Sequence, residues 1–280
     1  GKKVIYDVDD LIFDKDQIKK ISFLKNADHN IRQHFTENTN NYLKIMKMAD
    51  LVITPTDFLS KYIKDKYKIK TEVLRNHLDQ KSLDAGKKIF IKNRNKNKKN
   101  IVIGYFPGTK THQSDFEIIE TSLFNLLGKY PNLKLKVVGE LSLNKIFKKY
   151  KNQVIKQGKV PYSKMMSIYK DVDINLAPLE MNNDFCEGKS EIKYLFAGAC
   201  GIPTVASATD AFKYAIKNDV NGYLCYQDKD WYKYLEELIS NQEKRLSMGK
   251  KAFNHVQEKY SPTYQSRELK KILRKINFLK

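Results

Sequence analysis

Short apolar runs alternate along this chain with longer stretches whose apolar residues recur every three or four positions, the pattern of strands alternating with helices. Val4 to Asp10, VIYDVDD, is an apolar-rich run that breaks into carboxylates, as a buried parallel strand does at the carboxyl edge of its sheet. Functional residues collect on that edge. Asp28 to Met48 is mostly polar with Tyr42, Ile45 and Met46 at helical spacing, which predicts a surface helix. A second strand is predicted over Leu51 to Thr54. Pro55-Thr56-Asp57 then caps a helix carrying Phe58, Leu59, Tyr62 and Ile63 on one face, and a third strand follows at Thr71 to Leu74. Strand, helix and strand in quick succession predict a parallel, doubly wound sheet.

From Lys87 to Asn100 the chain turns polar and ends KNRNKNKKN, which predicts a linker or exposed edge. A new alternation begins at Ile101. Strands are predicted at 101–106, 133–138, 154–157, 174–176, 204–206 and 222–225, with helices at 115–129, 143–150, 162–170, 189–200 and 212–217. Six strands with helices between them make a complete doubly wound domain, whereas the three before the linker do not. Asp230 to Lys280 reads as helices only, Ser261-Pro262 opening the last. The expected organisation is therefore residues 1–86 as a partial Rossmann-like domain, 87–260 as a complete one, and 261–280 as a carboxy-terminal helix packing back toward the first.

Composition narrows the partners. With 280 residues, 41% hydrophobic and 11% aromatic, the chain has enough apolar side chains for two packed cores. No apolar run approaches the roughly 20 residues of a membrane span, and Gly1-Lys2-Lys3 leads straight into a strand, so a cytoplasmic protein is expected. The net charge of +20 implies an anionic partner: nucleic acid, an anionic membrane surface or a phosphorylated substrate. No nucleic-acid-binding module accompanies the charge, so nucleic acid is not expected. The last forty residues are strongly basic, which leaves open a solvated helix face or contact with an anionic membrane or with another binding partner. Cys186, Cys200 and Cys225 have no metal-binding spacing and cannot pair completely, so they are expected as reduced, structural thiols.

Two constellations carry chemistry. Asn182 to Pro203 is a loop running into a helix, whose amino terminus offers the N–H groups of Gly188, Lys189 and Ser190 to a diphosphate. Gly188 permits close backbone approach, Lys189 adds charge, and the Ser190 hydroxyl can donate to a phosphate oxygen. Asp7, Asp9 and Asp10 close the first strand, where they can take a proton, accept from a hydroxyl, cap a helix, or hold magnesium.

Several segments together resemble the family 4 glycosyltransferases. They are ADLVITPTDFLSKYI (Ala49 to Ile63), VLRNHLD (Val73 to Asp79), IGYFPGTKTHQSDF (Ile103 to Phe116), VPYSKMMSIYKDVDINLAPL (Val160 to Leu179) and FCEGKSEIKYLFAGACGIPTVAS (Phe185 to Ser207). The resemblance implies an α/β protein of the GT-B architecture, two facing Rossmann-like domains, with roughly the first half of the amino-terminal one absent, as in a fragment of a longer protein. It implies a retaining hexosyl- or deoxyhexosyltransferase that moves sugar from a nucleotide-diphosphate donor to a bacterial glycan, glycolipid or glycoprotein acceptor, at the inner face of the membrane where the basic tail makes contact. No cofactor or metal is implied.

By the same resemblance Asp9, Asp10, Lys110 and Glu187 are the expected catalytic residues. Gly108, Thr109, Lys110, Gly188, Lys189, Ser190, Glu191 and Pro178 are expected around the donor. Lys110 falls where the family places a lysine on the donor phosphates, and Tyr105 replaces the arginine that usually precedes it. His112 is open between a site role and capping. The family's ribose-binding glutamate falls on Phe196, which leaves Glu191 as a substitute; its sugar-facing glutamate falls on Gly188, with Glu187 beside it. These departures keep a second reading in view, a GT-B module that binds or assembles without turnover.

Overall fold

The computed structural model describes residues 2–21, 24, 27–93, 98–108 and 110–278, residues 34 and 110 by their backbone alone. Two parallel sheets organise it. The first has three strands in the order β1 (Ile5–Asp7), β2 (Leu51–Thr54), β3 (Thr71–Val73), with α1 (Lys15–Ile18), α2 (His29–Met48) and α3 (Asp57–Tyr67) between them. Alternation along β2 explains how it is covered, because neighbouring side chains point to opposite faces. Val52 packs with Met46, Leu59 and Ile63 on one face, while Leu51 and Ile53 pack with Ile272 and Ile276 on the other.

After β3 comes α4 (Gln80–Asn93), a helix that runs through the expected division at residue 86 and through half of the stretch expected as linker. Its lysines face solvent while Leu83 is buried in the core of the second sheet, so charge alone disguised an amphipathic helix. That sheet has six strands: β4 (Ile101–Gly108), β5 (Leu133–Gly139), β6 (Val154–Gln157), β7 (Ile174–Ala177), β8 (Thr204–Ser207) and β9 (Gly222–Cys225). Their spatial order, β6-β5-β4-β7-β8-β9, is all parallel and reverses direction between β4 and β7. Along β4, Val102 and Phe106 enter one core and Ile103 and Tyr105 the other, which is why this strand reads as a continuous apolar run.

Helices α5 (Gln113–Lys129), α6 (Asp184–Glu187), α7 (Ile192–Ala199), α8 (Asp210–Ala215), α9 (Asp228–Ser240), α10 (Gln242–Lys259) and α11 (Pro262–Lys275) complete the chain. The two helices expected at 143–150 and 162–170 are 3-10 helices, Lys145–Tyr150 and Tyr162–Tyr169. The three cysteines are buried and unpaired.

Helix α11 returns to the three-stranded sheet, where Ile272 and Ile276 cover Leu51 and Ile53. Its apolar face is thereby occupied, so a lipid-embedded amphipathic role for the basic tail finds no apolar surface to use. Among the described residues no helix is long and apolar enough to cross a membrane. Two crossings join the units, one after β3 and one between α10 and α11, and the Leu78 N–H donates to the Tyr260 carbonyl between them at 3.1 Å.

At the carboxyl edge β4 slips register against β5 between Tyr105 and Gly108, bringing Gly108 against Gly139. Both take positive φ, +75° and +125°, and a Cβ on Gly139 would lie 2.8 Å from the Gly108 nitrogen. Gly139→Ala is expected to destabilise the protein by about 1–3 kcal/mol, read as a lower urea midpoint.

Candidate functional site

In an open parallel sheet the crevice forms where strand order reverses, beyond the carboxyl ends. Here that place is a cleft of about 380 Å³. Phe106 and Gly108 of β4, Gly139 of β5, and Ile192, Lys193 and Phe196 of α7 line it, with Val160 and Tyr169 at its far side. Most of the wall is apolar; its charged side chains are Lys193 at the start of α7 and Lys159 beside Val160.

That start differs from the expected one. Asn183 caps the short helix α6, and its turns consume the Gly188 N–H, which donates to Asp184 O at 2.9 Å, and the Lys189 N–H, which donates to Cys186 O at 3.2 Å. Gly188 is in ordinary right-handed geometry, φ −70°, and a Cβ there would meet nothing closer than 3.4 Å, so no close backbone approach requires it. The long helix begins later, at Ile192. The N–H groups left without an acceptor among the described residues are those of Ser190, Ile192 and Lys193.

Lys193, half-buried in the first turn of α7, is the residue sequence reasoning missed. Burial and then the neighbouring Lys189 draw its pKa down to about 8. Lys189 is half-buried as well, its ammonium 5.0 Å from the centre of the Phe185 ring. Opposite them Asp10, from the first unit, has its pKa raised by burial, against the pull of Lys189 and Lys193. Two lysines and a helix end facing one partly buried point concentrate positive potential and make a site for a polyanion. A lone lysine inside the otherwise apolar run IKYLFAGA was the signal available in the sequence.

Beneath the lysines lies a buried His-Asp pair. His112 Nδ1 and Asp115 Oδ2 are 2.7 Å apart, and Asp115 Oδ1 accepts the Glu180 N–H at 3.0 Å. Burial, followed by Lys193, pushes the His112 pKa down to about 4, so the ring is neutral near pH 7. Asp115, its pKa lowered through the His112 bond and the lysines against the cost of burial, is ionised and can only accept. The ring proton therefore sits on Nδ1, which leaves Nε2 as an acceptor. His112 thus bonds within its own turn rather than capping α5 through its side chain. Cys186 Sγ donates to the same Asp115 oxygen at 3.7 Å, and burial pushes that thiol up to about 12. Asp115, Glu180 and Cys186 hold potential ligand atoms within 4.8 Å of one another.

The other expected residues divide. Asp9 and Ser190 are brought together: Asn76 Nδ2 donates to Asp9 Oδ1 and to Ser190 Oγ, each at 2.9 Å, so one amide bridges the two units just before the start of α7. Nothing in the sequence marked Asn76. Glu187 instead accepts the Asp210 N–H at 2.9 Å and serves the start of α8. Glu191 is fully buried, accepting the Tyr260 hydroxyl at 2.8 Å with Arg75 at 3.9 Å, and does not line the cleft. Pro178 is buried behind the end of β7 and does not line it either. Tyr105 lies in the core, its hydroxyl donating to His112 O at 3.2 Å. Gly108 lines the cleft. Thr109 and the Lys110 side chain lie outside the described residues.

Residues 86–255 match the family described as Glycosyl transferases group 1. The chain belongs to that family. Among curated relatives, D-inositol 3-phosphate glycosyltransferase of Corynebacterium aurimucosum is 30% identical over 100 residues, 35% of this chain. That match spans only 22% of the relative's length. Two solved structures show the same fold as this glycosyl transferase group 1 chain. Anabaena Alr3699/HepE, solved with UDP and glucose, superposes with a TM-score of 0.71 at 15% identity, over 98% of this chain and 72% of its own. Sucrose-phosphate synthase from Thermosynechococcus elongatus superposes with 0.64 at 12% identity, over 97% and 67%. The architecture is GT-B, two Rossmann-like units, the amino-terminal one contributing three strands here.

Proposed function

We propose that this chain transfers a sugar, with retention, from a nucleoside diphosphate donor to a glycan, glycolipid or glycoprotein acceptor, as a family 4 hexosyl- or deoxyhexosyltransferase. The carrying observation is the junction of an apolar cleft with the free start of α7, where Lys193 and Lys189 converge. A nucleoside fits the apolar part, and its diphosphate reaches the N–H groups of Ser190, Ile192 and Lys193. Negative charge grows on the departing diphosphate as the sugar bond breaks, and two half-buried lysines stabilise it without needing a divalent ion. Asp10, facing those lysines, and Asp9 stand where the acceptor would approach from the first unit. The family 4 resemblance supports retention. Three unpaired buried thiols suit a cytoplasmic protein.

UDP, the nucleotide seen with Anabaena HepE, is the first probe. At 100 times its dissociation constant it is expected to stabilise the chain by about 2.7 kcal/mol, read as a rise in melting temperature. No shift with any nucleoside diphosphate would sink the proposal. Binding without hydrolysis of a UDP-sugar by the chain would favour the rival reading, a binding module, which the apolar Phe196 makes specific.

A further inference from the structure

Phe196 sits one turn along α7 from Ile192, on the same face, and both line the cleft. A donor anchored by its diphosphate at the helix start places the adjoining pentose against this first turn. What the pentose meets there is an aromatic wall. Phe196 is 7% exposed, stacked on Tyr169 with ring centres 6.2 Å apart, and Tyr162 stands edge-on to it at 6.1 Å. Phe106 packs on Tyr169 at 4.5 Å, continuing the wall inward.

The vicinal hydroxyls of a ribose are usually held by a carboxylate that accepts from them, and Glu191 and Glu140 both face other partners. Glu191 turns to Tyr260 and Arg75. Glu140, at the rim beside Gly139, pairs with Lys159 at 2.7 Å. No carboxylate lines the cleft among the described residues.

Resting on the proposed donor site, we infer that this cleft does not read the 2′-hydroxyl of its nucleotide and takes 2′-deoxyribonucleoside diphosphate donors as readily as ribonucleoside ones, with Phe196 the residue that decides it. The physical asymmetry is that a site built to bond a hydroxyl rejects the analogue lacking it steeply, whereas an apolar wall discriminates weakly between them. Removing the hydroxyl here leaves no protein group unpaired, and removing it from the ligand spares its desolvation.

Calorimetric titration of the full chain with UDP, 2′-deoxy-UDP and TDP tests this. UDP and 2′-deoxy-UDP are expected to bind within fivefold of each other. Phe196→Glu is expected to move the ratio at least tenfold toward UDP. A fivefold or larger preference of the unaltered protein for UDP overturns the inference while leaving the donor site standing. An unchanged ratio in a folded Phe196→Glu protein overturns the assignment to Phe196, and should that variant not fold, the comparison in the unaltered protein still decides. Failure of all three nucleotides to bind removes the donor site itself.

Discussion

Lys193→Met is expected to lower sugar transfer, or hydrolysis of the donor, by about 10²–10³-fold, the effect of deleting one preorganised charge from a site where negative charge develops. Lys193 stands in the first turn of α7, half-buried, beside two unpaired N–H groups, and burial, followed by the nearby Lys189, draws its pKa down to about 8. The lysine is charged below that pH and neutral above it. Affinity for UDP should therefore fall as pH rises through about 8, and in Lys193→Met that step should be missing. Arginine at this position keeps its charge at any accessible pH, so Lys193→Arg should abolish the step while retaining part of the affinity. Loss of affinity in Lys193→Met with transfer intact at saturating donor would show that Lys193 binds ground state and transition state equally. Unchanged binding and turnover would remove it from the site.

The second large effect is on stability and lies away from the cleft. Asp14, 1% exposed, caps α1 through the Asp16 N–H at 2.9 Å. Its other oxygen accepts Lys66 Nζ at 2.5 Å, the Tyr62 hydroxyl at 2.5 Å and the Tyr67 hydroxyl at 2.8 Å. One carboxylate thus pins α1 to α3. Asp14→Ala is expected to cost about 2–4 kcal/mol, because two tyrosine hydroxyls lose their acceptor. Lys66 limits the figure, since at 39% exposed it keeps part of its hydration. Burial raises the Asp14 pKa, but the bonds from Lys66, Tyr62 and Tyr67 outweigh it and hold the value at about 2. An unfolded aspartate titrates near 4, at roughly 3.9. The contribution is therefore whole above about pH 4 and drains away as pH falls toward 2. Urea midpoints of the parent and Asp14→Ala proteins between pH 7 and 2.5 should converge on acidification; parallel curves would show that Asp14 is not ionised in the fold.

Apolar runs such as LVIT and IVIGYF announced buried parallel strands, because such strands carry no polar alternation to confuse the reading. The nine strands among the described residues fall at the stretches expected as strands, including those such as LKLKVV and VIKQ where lysines interrupt the apolar run. Helix α4 was misread because exposed lysines outnumber the residues it buries. The start of α7 was misplaced by three residues because Asn183 caps a separate turn that absorbs the Gly188 and Lys189 N–H groups. Chemistry that depends on side-chain direction was the least legible. Glu187 and Glu191 stand near the positions where the family's site glutamates fall, yet one holds the start of α8 and the other is buried on Tyr260. His112 and Asp115 form a pair because three residues span a helical turn, and the sequence does carry that spacing. Asn76 reaches Asp9 and Ser190 only through the tertiary fold, across sequence separations of 67 and 114, and no local pattern encodes it.

The double passage of the chain between the units governs how the two units can part. A single connecting strand would act as a swivel, free to twist. Here two strands cross side by side, joined by the bond from Leu78 to Tyr260, and α11 is fastened beyond them to the far sheet. A door hung on two pins turns about the line through them and about no other. Swinging open should part Asn76 from Ser190 while Leu78 stays on Tyr260, so amide exchange at Leu78 should remain slow whether or not nucleotide is bound.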